Sequence, residues 1–285
     1  MHREFLSRVL GLAAALCLVA AAPAGAVLLY TTDVDTDELV RIDSSTGTAT
    51  VIGSLGAAAS DVDLALTPDG RLWGLNSVFG SRVDLWEIDK LTGAVLTSVQ
   101  VFAGGNPVQS AEALATRGSG LKIAYSPSGD ANSATLGDLS LAGVVTNPIA
   151  ADGDIDGLGN GNSNAPDLFR FDREPGLHTR LYGLDADTGV STLIGQYSDA
   201  LGFHDATAVP GVVFTVDSFA PNLYEIDAIT GAILNTVALS RSGSYFGLAL
   251  AEAGDVVPAA APSGAALLAL GALAAFGRRR ALRPA

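Results

Sequence analysis

The chain has 285 residues, 48% of them apolar and only 6% aromatic, with a formal net charge of −14. Residues 27–255 alone carry ten Lys and Arg against 29 Asp and Glu, a balance that disfavours nucleic acid and anionic membrane surfaces and favours cations. The single cysteine excludes a disulfide framework.

Arg3 and Arg8 precede an apolar run over residues 9–22, and Ala24-Gly25-Ala26 supplies a small-x-small cleavage site. Residues 1–26 therefore read as a secretory signal peptide, its apolar run too short to span a bilayer comfortably. Cys17 lies within it, so the exported chain, beginning at Val27, carries no thiol.

From Leu39 onward one pattern recurs: LVRIDSSTGTATVIG from Leu39, LWEIDKLTGAVLTSV from Leu85, LYGLDADTGVSTLIG from Leu181 and LYEIDAITGAILNTV from Leu223. Each copy alternates apolar and polar residues into an Asp, turns through x-x-Thr-Gly and continues as a second apolar strand, which predicts a β-hairpin. The Gly supplies the positive φ at the end of the turn, and the Asp and Thr side chains can bond local amides. Gly47, Gly93, Gly189 and Gly231 are separated by 46, 96 and 42 residues, and Gly143 of the degenerate copy LGDLSLAGVVTNPI divides the long gap into 50 and 46. A repeat of that length, with strand signals throughout, matches one four-stranded propeller blade.

Each hairpin should then follow two further strands. Residues 63–67 and 71–76 precede the Leu85 copy, 112–116 and 121–126 the degenerate one, 154–159 and 167–172 the Leu181 copy, and 205–209 and 212–217 the last. The first hairpin has only residues 27–32 before it. Its missing innermost strand is YFGLAL, residues 245–250, which comes after the last hairpin. The expected fold is an all-β, five-bladed β-propeller over residues 27–251, closed by a C-terminal strand in blade one; closure removes the open sheet edges that invite aggregation. A β-sandwich or an open solenoid would not need that strand.

Aligned by their apolar cores, the innermost strands stack Asp63, Glu112, Asp156, Asp205 and Phe246 at equivalent places, with Asp61, Asp154 and His204 close by. Like charges this near repel, and a hard cation, raised pKa values or open solvent must relieve them. Asp63, Glu112, Asp154, Asp156 and Asp205 are thus candidate ligands of a Ca²⁺ at the channel mouth, against the plainer reading of acidic residues in solvated turns. Asp152, Asp154 and Asp156, followed by Gly157, also match the opening of an EF-hand-type loop, although Ser163 stands where its bidentate Glu belongs and helical flanks are missing. Asp33, Asp35, Asp37 and Glu38 form a weaker acidic loop that reads as a solvated hairpin tip. Trp73, Trp86, Tyr182 and Tyr224 fall at repeat-equivalent positions and read as packing between blades. No nucleophile elbow, phosphate loop, zinc pair or thiol nucleophile is present, so a non-catalytic module is expected. A hydrolase acting on glycans or lactones through the acidic channel is the alternative.

Residues 252–262 form a Pro-rich linker, and 263–285 hold an apolar stretch ending in Arg278-Arg279-Arg280, a membrane helix with a positive cytoplasmic stop. VPAAAPSGAALLALGALAAFGRRR resembles the C-terminal sorting signals of the PEP-CTERM class, which an exosortase recognises. Val257, Pro258 and Pro262 stand for the Val-Pro-Glu-Pro-like motif, with Ala259 in the place of Glu, and Arg278, Arg279 and Arg280 for the basic cluster. The resemblance implies an exported protein of the cell envelope, outer surface or extracellular matrix, transiently anchored in the inner membrane. It also implies an exosortase-like processing enzyme as partner and extracellular polysaccharide or surface protein as surroundings.

Overall fold

The computed structural model describes residues 26–78, 81–127, 134–161, 166–174, 178–198 and 200–251. The expected signal peptide up to residue 25, the expected linker and the expected sorting signal with Val257, Pro258, Pro262, Arg278, Arg279 and Arg280 lie outside the described residues.

The repeated Asp closes each turn as its chemistry dictates. Asp43 Oδ1 accepts hydrogen bonds from the amides of Ser45 (2.9 Å) and Thr46 (3.1 Å), and Asp227 Oδ1 from those of Ile229 (2.9 Å) and Thr230 (2.7 Å). The amide of each turn Gly donates to the carbonyl of its Asp four residues back, as from Gly93 to Asp89 at 2.8 Å. In the degenerate copy Ser140 replaces the Asp, and Gly143 donates to a carbonyl only three residues back, so this turn is one residue tighter.

Among the described residues there are 22 strands. In chain order they are β1 (Leu28–Asp33), β2 (Glu38–Asp43), β3 (Ala49–Ser54), β4 (Val62–Leu66), β5 (Leu72–Val78), β6 (Arg82–Ile88), β7 (Val95–Gln100), β8 (Phe102–Ala103) and β9 (Asn106–Pro107). There follow β10 (Ala111–Arg117), β11 (Gly120–Tyr125), β12 (Thr135–Leu139), β13 (Val144–Ala150), β14 (Gly157–Asn160), β15 (Leu168–Glu174), β16 (His178–Leu184) and β17 (Ser191–Ser198). The last are β18 (Thr207–Val209), β19 (Val212–Val216), β20 (Asn222–Asp227), β21 (Ile233–Ala238) and β22 (Tyr245–Leu250).

The sheets are five antiparallel blades: β22-β1-β2-β3, β4 to β7, β10 to β13, β14 to β17 and β18 to β21. The innermost strands β22, β4, β10, β14 and β18 touch in turn, and β18 meets β22, so the ring is closed. As expected, residues 245–250 supply the inner strand of blade one, with Tyr245 opposite Asp33 and Leu250 opposite Leu29. One feature departs from the four-strand plan. The short hairpin β8-β9 leaves blade two and adds to the outer edge of blade three, β8 lying parallel to β13.

Hydrophobic burial sits mainly between blades. Phe203 packs against Phe171, Tyr197 and Tyr224 with ring centroids 4.9–5.4 Å apart, tying blade four to blade five. Leu29, Ile42, Tyr245 and Leu248 of blade one join Phe214, Val216 and Leu223 of blade five. Trp73, Trp86 and Tyr224 are buried as the repeat suggests, while Tyr182 lies under the Arg170 guanidinium at 4.0 Å. The turn glycines contribute here too. All five have φ between +68 and +79, and a Cβ on any of them would come within 2.1–2.6 Å of the outer strand of the preceding blade or the residue beside it. The Thr-Gly turn is therefore also the place where one blade rests on the next.

Candidate functional site

Because the inner strands run in the same sense, their N-terminal ends gather at one mouth of the central channel. Asp63 is the second residue of β4, Glu112 of β10 and Phe246 of β22, whereas Asp156 and Asp205 lie just before β14 and β18. The expected carboxylates do come together. Asp63 is repelled by Asp205, Asp61 and Glu112, and Glu112 by Asp154, Asp156 and Asp61. Burial by the close-set inner strands accentuates this: a Cβ on Gly157 would lie 1.3 Å from the His204 carbonyl oxygen, so only glycine lets β14 approach there.

Desolvation is the main cause of every shift at this mouth. It raises the Asp61 carboxyl to about 6 and Asp156 to about 7, and raises Glu112 to about 8, with repulsion from Asp154 and Asp156 adding to it. Asp63 and Asp205 are pushed well above the ordinary range. Glu112 and Asp154 share a hydrogen bond that raises the first and lowers the second, so the Glu112 carboxyl donates and the Asp154 carboxylate accepts.

The carboxyls differ in how they are held. Asp205 Oδ1 accepts from the Ala206 amide at 2.7 Å, and its other oxygen accepts from Leu248 of blade one, with Leu64 of blade two also donating. Asp205 thus fastens three blades around the channel. Asp156 accepts from the Arg173 amide. Asp63 is only 3% exposed, and burial together with repulsion from Asp205, Asp61 and Glu112 acts on its carboxyl. The two arginines near the mouth have other partners. Arg170 is buried within blade four, donating to the Asp154 carbonyl and to Ser191 Oγ (2.8 Å), with Asp172 at 3.5 Å. Arg173 lies over the Phe219 ring at 4.5 Å. His204, 5.3 Å from the Phe246 ring, is lowered to about 4 by burial and then by Arg173, and is neutral at pH 7.

Two sequence expectations are corrected. Asp152 does not join Asp154 and Asp156 in a calcium loop, because its carboxylate bonds the Ser191 amide at 2.7 Å and leans toward Arg170. Asp33 is not at a solvated tip but is 1% exposed beneath residue 243. The ring is also wider than one coordination sphere. Among the described residues the only three acidic or His ligand atoms within 4.8 Å of one another belong to Asp167, Asp185 and Asp187, all exposed. Arg117 already answers that group, pairing with Asp167 at 2.8 Å and Asp187 at 2.6 Å. Arg173, which adds to the lowering of His204 that burial causes, had no signal in the sequence, since its role depends on packing across blades.

No protein-family model and no curated sequence matches this chain. Among solved structures it is similar to one of the nidogen/laminin complex, at 15% identity and a TM-score of 0.50, over 80% of this chain and 82% of that one. It is also similar to the PQQ-bound aldose sugar dehydrogenase of Streptomyces coelicolor (15% identity, TM-score 0.47, 81% and 87% covered). A third is the glutaminyl cyclase of Myxococcus xanthus (16%, 0.45, 64% and 72%). At such identities the likeness concerns the fold alone, that of a β-propeller.

Proposed function

We propose that this chain is an exported binding or structural module whose acidic channel mouth exchanges protons for a hydrated divalent cation, Ca²⁺ foremost. The observation that carries this is the crowding of carboxyls at Asp63, which is 3% exposed and repelled by Asp205, Asp61 and Glu112. Carboxylates buried beside one another cost several kcal/mol when charged, and protonation or a cation relieves them. Hard oxygen donors suit Ca²⁺ rather than metals that seek nitrogen or sulfur. Since no three of the ring oxygens lie within 4.8 Å of each other, two carboxylates with water completing the shell is the arrangement they allow.

A second reading is a hydrolase using the same channel, favoured by Glu112, whose carboxyl, raised to about 8, stays protonated near neutrality as a general acid would. The Asp63→Asn/Glu112→Gln double variant separates the two. In the module reading Ca²⁺ at a hundred-fold excess over its Kd stabilises the unmodified protein by about 2.7 kcal/mol, or ~5–10 °C in Tm, and leaves the double variant unmoved. Turnover of aryl glycosides or lactones that the double variant loses would establish the hydrolase; absence of any calcium effect on the unmodified protein would remove the cation.

The tail completes the reading: residues 257–280 act as a sorting signal that delivers the propeller to the outer surface or matrix. Mass spectrometry of surface-exposed protein is expected to find a C-terminus upstream of Arg278, and an intact Arg278-Arg279-Arg280 cluster there would contradict it.

A further inference from the structure

A second site lies away from the carboxylate ring, where blade five meets blade one. A cleft of about 350 Å³ is lined by Asp33, Ser218, Phe219, Arg241, Ser242 and Gly243, among others. Asp33 is opposite Tyr245 at the start of β22, so the cleft opens at the same end of the propeller as the channel mouth. Buried side-chain polar atoms without a hydrogen-bond partner are rare in folded proteins. Among the described residues there are four, and three of them, Asp33 Oδ2, Ser218 Oγ and Arg241 Nη1, belong to residues that line this one cleft.

The neighbouring bonds show why these atoms are left over. Asp33 Oδ1 accepts from the Asp35 amide at 3.1 Å. Arg241 Nη2 donates to Glu38 Oε2 (2.6 Å) and Thr36 Oγ1 (3.2 Å) and stands 3.2 Å from Asp33 Oδ2. One guanidinium nitrogen is therefore fully engaged, while its twin and the second oxygen of a carboxylate that is 1% exposed have no hydrogen-bond partner, Asp33 Oδ2 keeping only its ion pair with Arg241 Nη2. The cleft offers one acceptor, one donor and one hydroxyl that can be either. Its charges offset one another: an anion drawn to Arg241 meets Asp33, and a cation drawn to Asp33 meets Arg241. What satisfies the set is a neutral group bearing a donor and an acceptor on adjacent atoms.

We propose that this cleft binds a vicinal diol, as presented by a hexopyranose or a polyol, one hydroxyl donating to Asp33 Oδ2 and its neighbour accepting from Arg241 Nη1, with Ser218 Oγ completing the set. The volume, at the small end of ligand pockets, suits one sugar unit. This site shares no residue with the carboxylate ring and stands or falls independently of calcium.

Saturation-transfer NMR on the full-length protein in detergent tests it, with methyl α-mannopyranoside and galactose as probes and glycine and acetate as charged controls, in chelator and again in millimolar Ca²⁺. Transfer to both sugars is expected in either condition. It should be weakened about tenfold or more by Ser218→Ala and by Arg241→Lys, which keeps the charge but removes the guanidinium fork. Melting within a few degrees of the unmodified protein qualifies each variant, and Ser218→Ala, the gentler change, stands alone if Arg241→Lys does not fold. Absence of transfer, or transfer that neither folded variant weakens, would overturn the site and leave water on the three atoms. Preference for glycine or acetate over the sugars would overturn the diol as its ligand.

Discussion

Replacing Tyr245–Leu250 with a glycine-serine segment of equal length is expected to abolish cooperative unfolding of the propeller. The strand contributes Tyr245, Leu248 and Ala249 to the core at 1–2% exposure, and its removal uncovers Leu29, Val40 and Ile42 of blade one and Phe214 of blade five. At about 1.5–3 kcal/mol for each large buried side chain, those losses match the whole stability of an ordinary domain. Polar contacts go with them: Tyr245 donates to the Arg241 carbonyl at 2.9 Å, and Leu248 donates to Asp205, which holds blades one, two and five together. A ring without its closing strand also exposes the free edge of β1. Circular dichroism should show a shallow thermal drift in place of a sigmoidal melt. A cooperative melt within a few degrees of the unmodified protein would mean that the remaining strands stand as an open array.

Stability is expected to fall as pH rises above about 6.5 when calcium is chelated. Glu112 and Asp156 have pKa values raised from 4.5 and 3.8 to about 8 and about 7, so the folded state binds more protons than the unfolded one through that interval. Groups raised in the folded state contribute stability at low pH that is lost as pH climbs through the folded pKa. His204 acts with the opposite sign. Its pKa is lowered from 6.5 to about 4, so it adds stability as pH rises over that range and nothing beyond it. The clean window therefore begins near 6.5, where the carboxyls act alone. Allowing for solvent screening at the half-buried mouth, the loss by pH 8.5 is about 1–2 kcal/mol, or ~2–8 °C in Tm. Glu112→Gln should flatten the slope, because its amide carries no charge at any pH.

The blade number was legible because one turn chemistry recurs, and turns are the part of a β-protein whose sequence demands are local. The closing strand was legible by subtraction, since residues 27–32 lacked the inner partner that every other hairpin possessed. The carboxylates were legible because inner strands share one register, which sends equivalent residues to the same mouth. Contacts across blades were not. Nothing in FAGGNP announces that β8-β9 will extend a neighbouring blade, and the second duty of the Thr-Gly glycines appears only once Gly53, Gln100, Ala150, Gly195 and Ala238 are seen against them. β14 and β18 are shorter than their sequences suggested, which leaves Asp156 and Asp205 on the approach to the strand, where they bond backbone amides instead of simply facing the channel. The burial of Asp33 and its meeting with Arg241, 208 positions later, likewise arise from closure of the ring.

Scanning calorimetry of the full-length protein in detergent, at pH 6.5 and 8.5, in chelator and in millimolar Ca²⁺, tests the exchange of protons for calcium most directly. The expected result is a lower Tm at pH 8.5 than at 6.5 in chelator, with calcium restoring the difference and acting more strongly at the higher pH, where the ring has released its protons. A Tm that is equal at the two pH values in chelator and unmoved by calcium would contradict it.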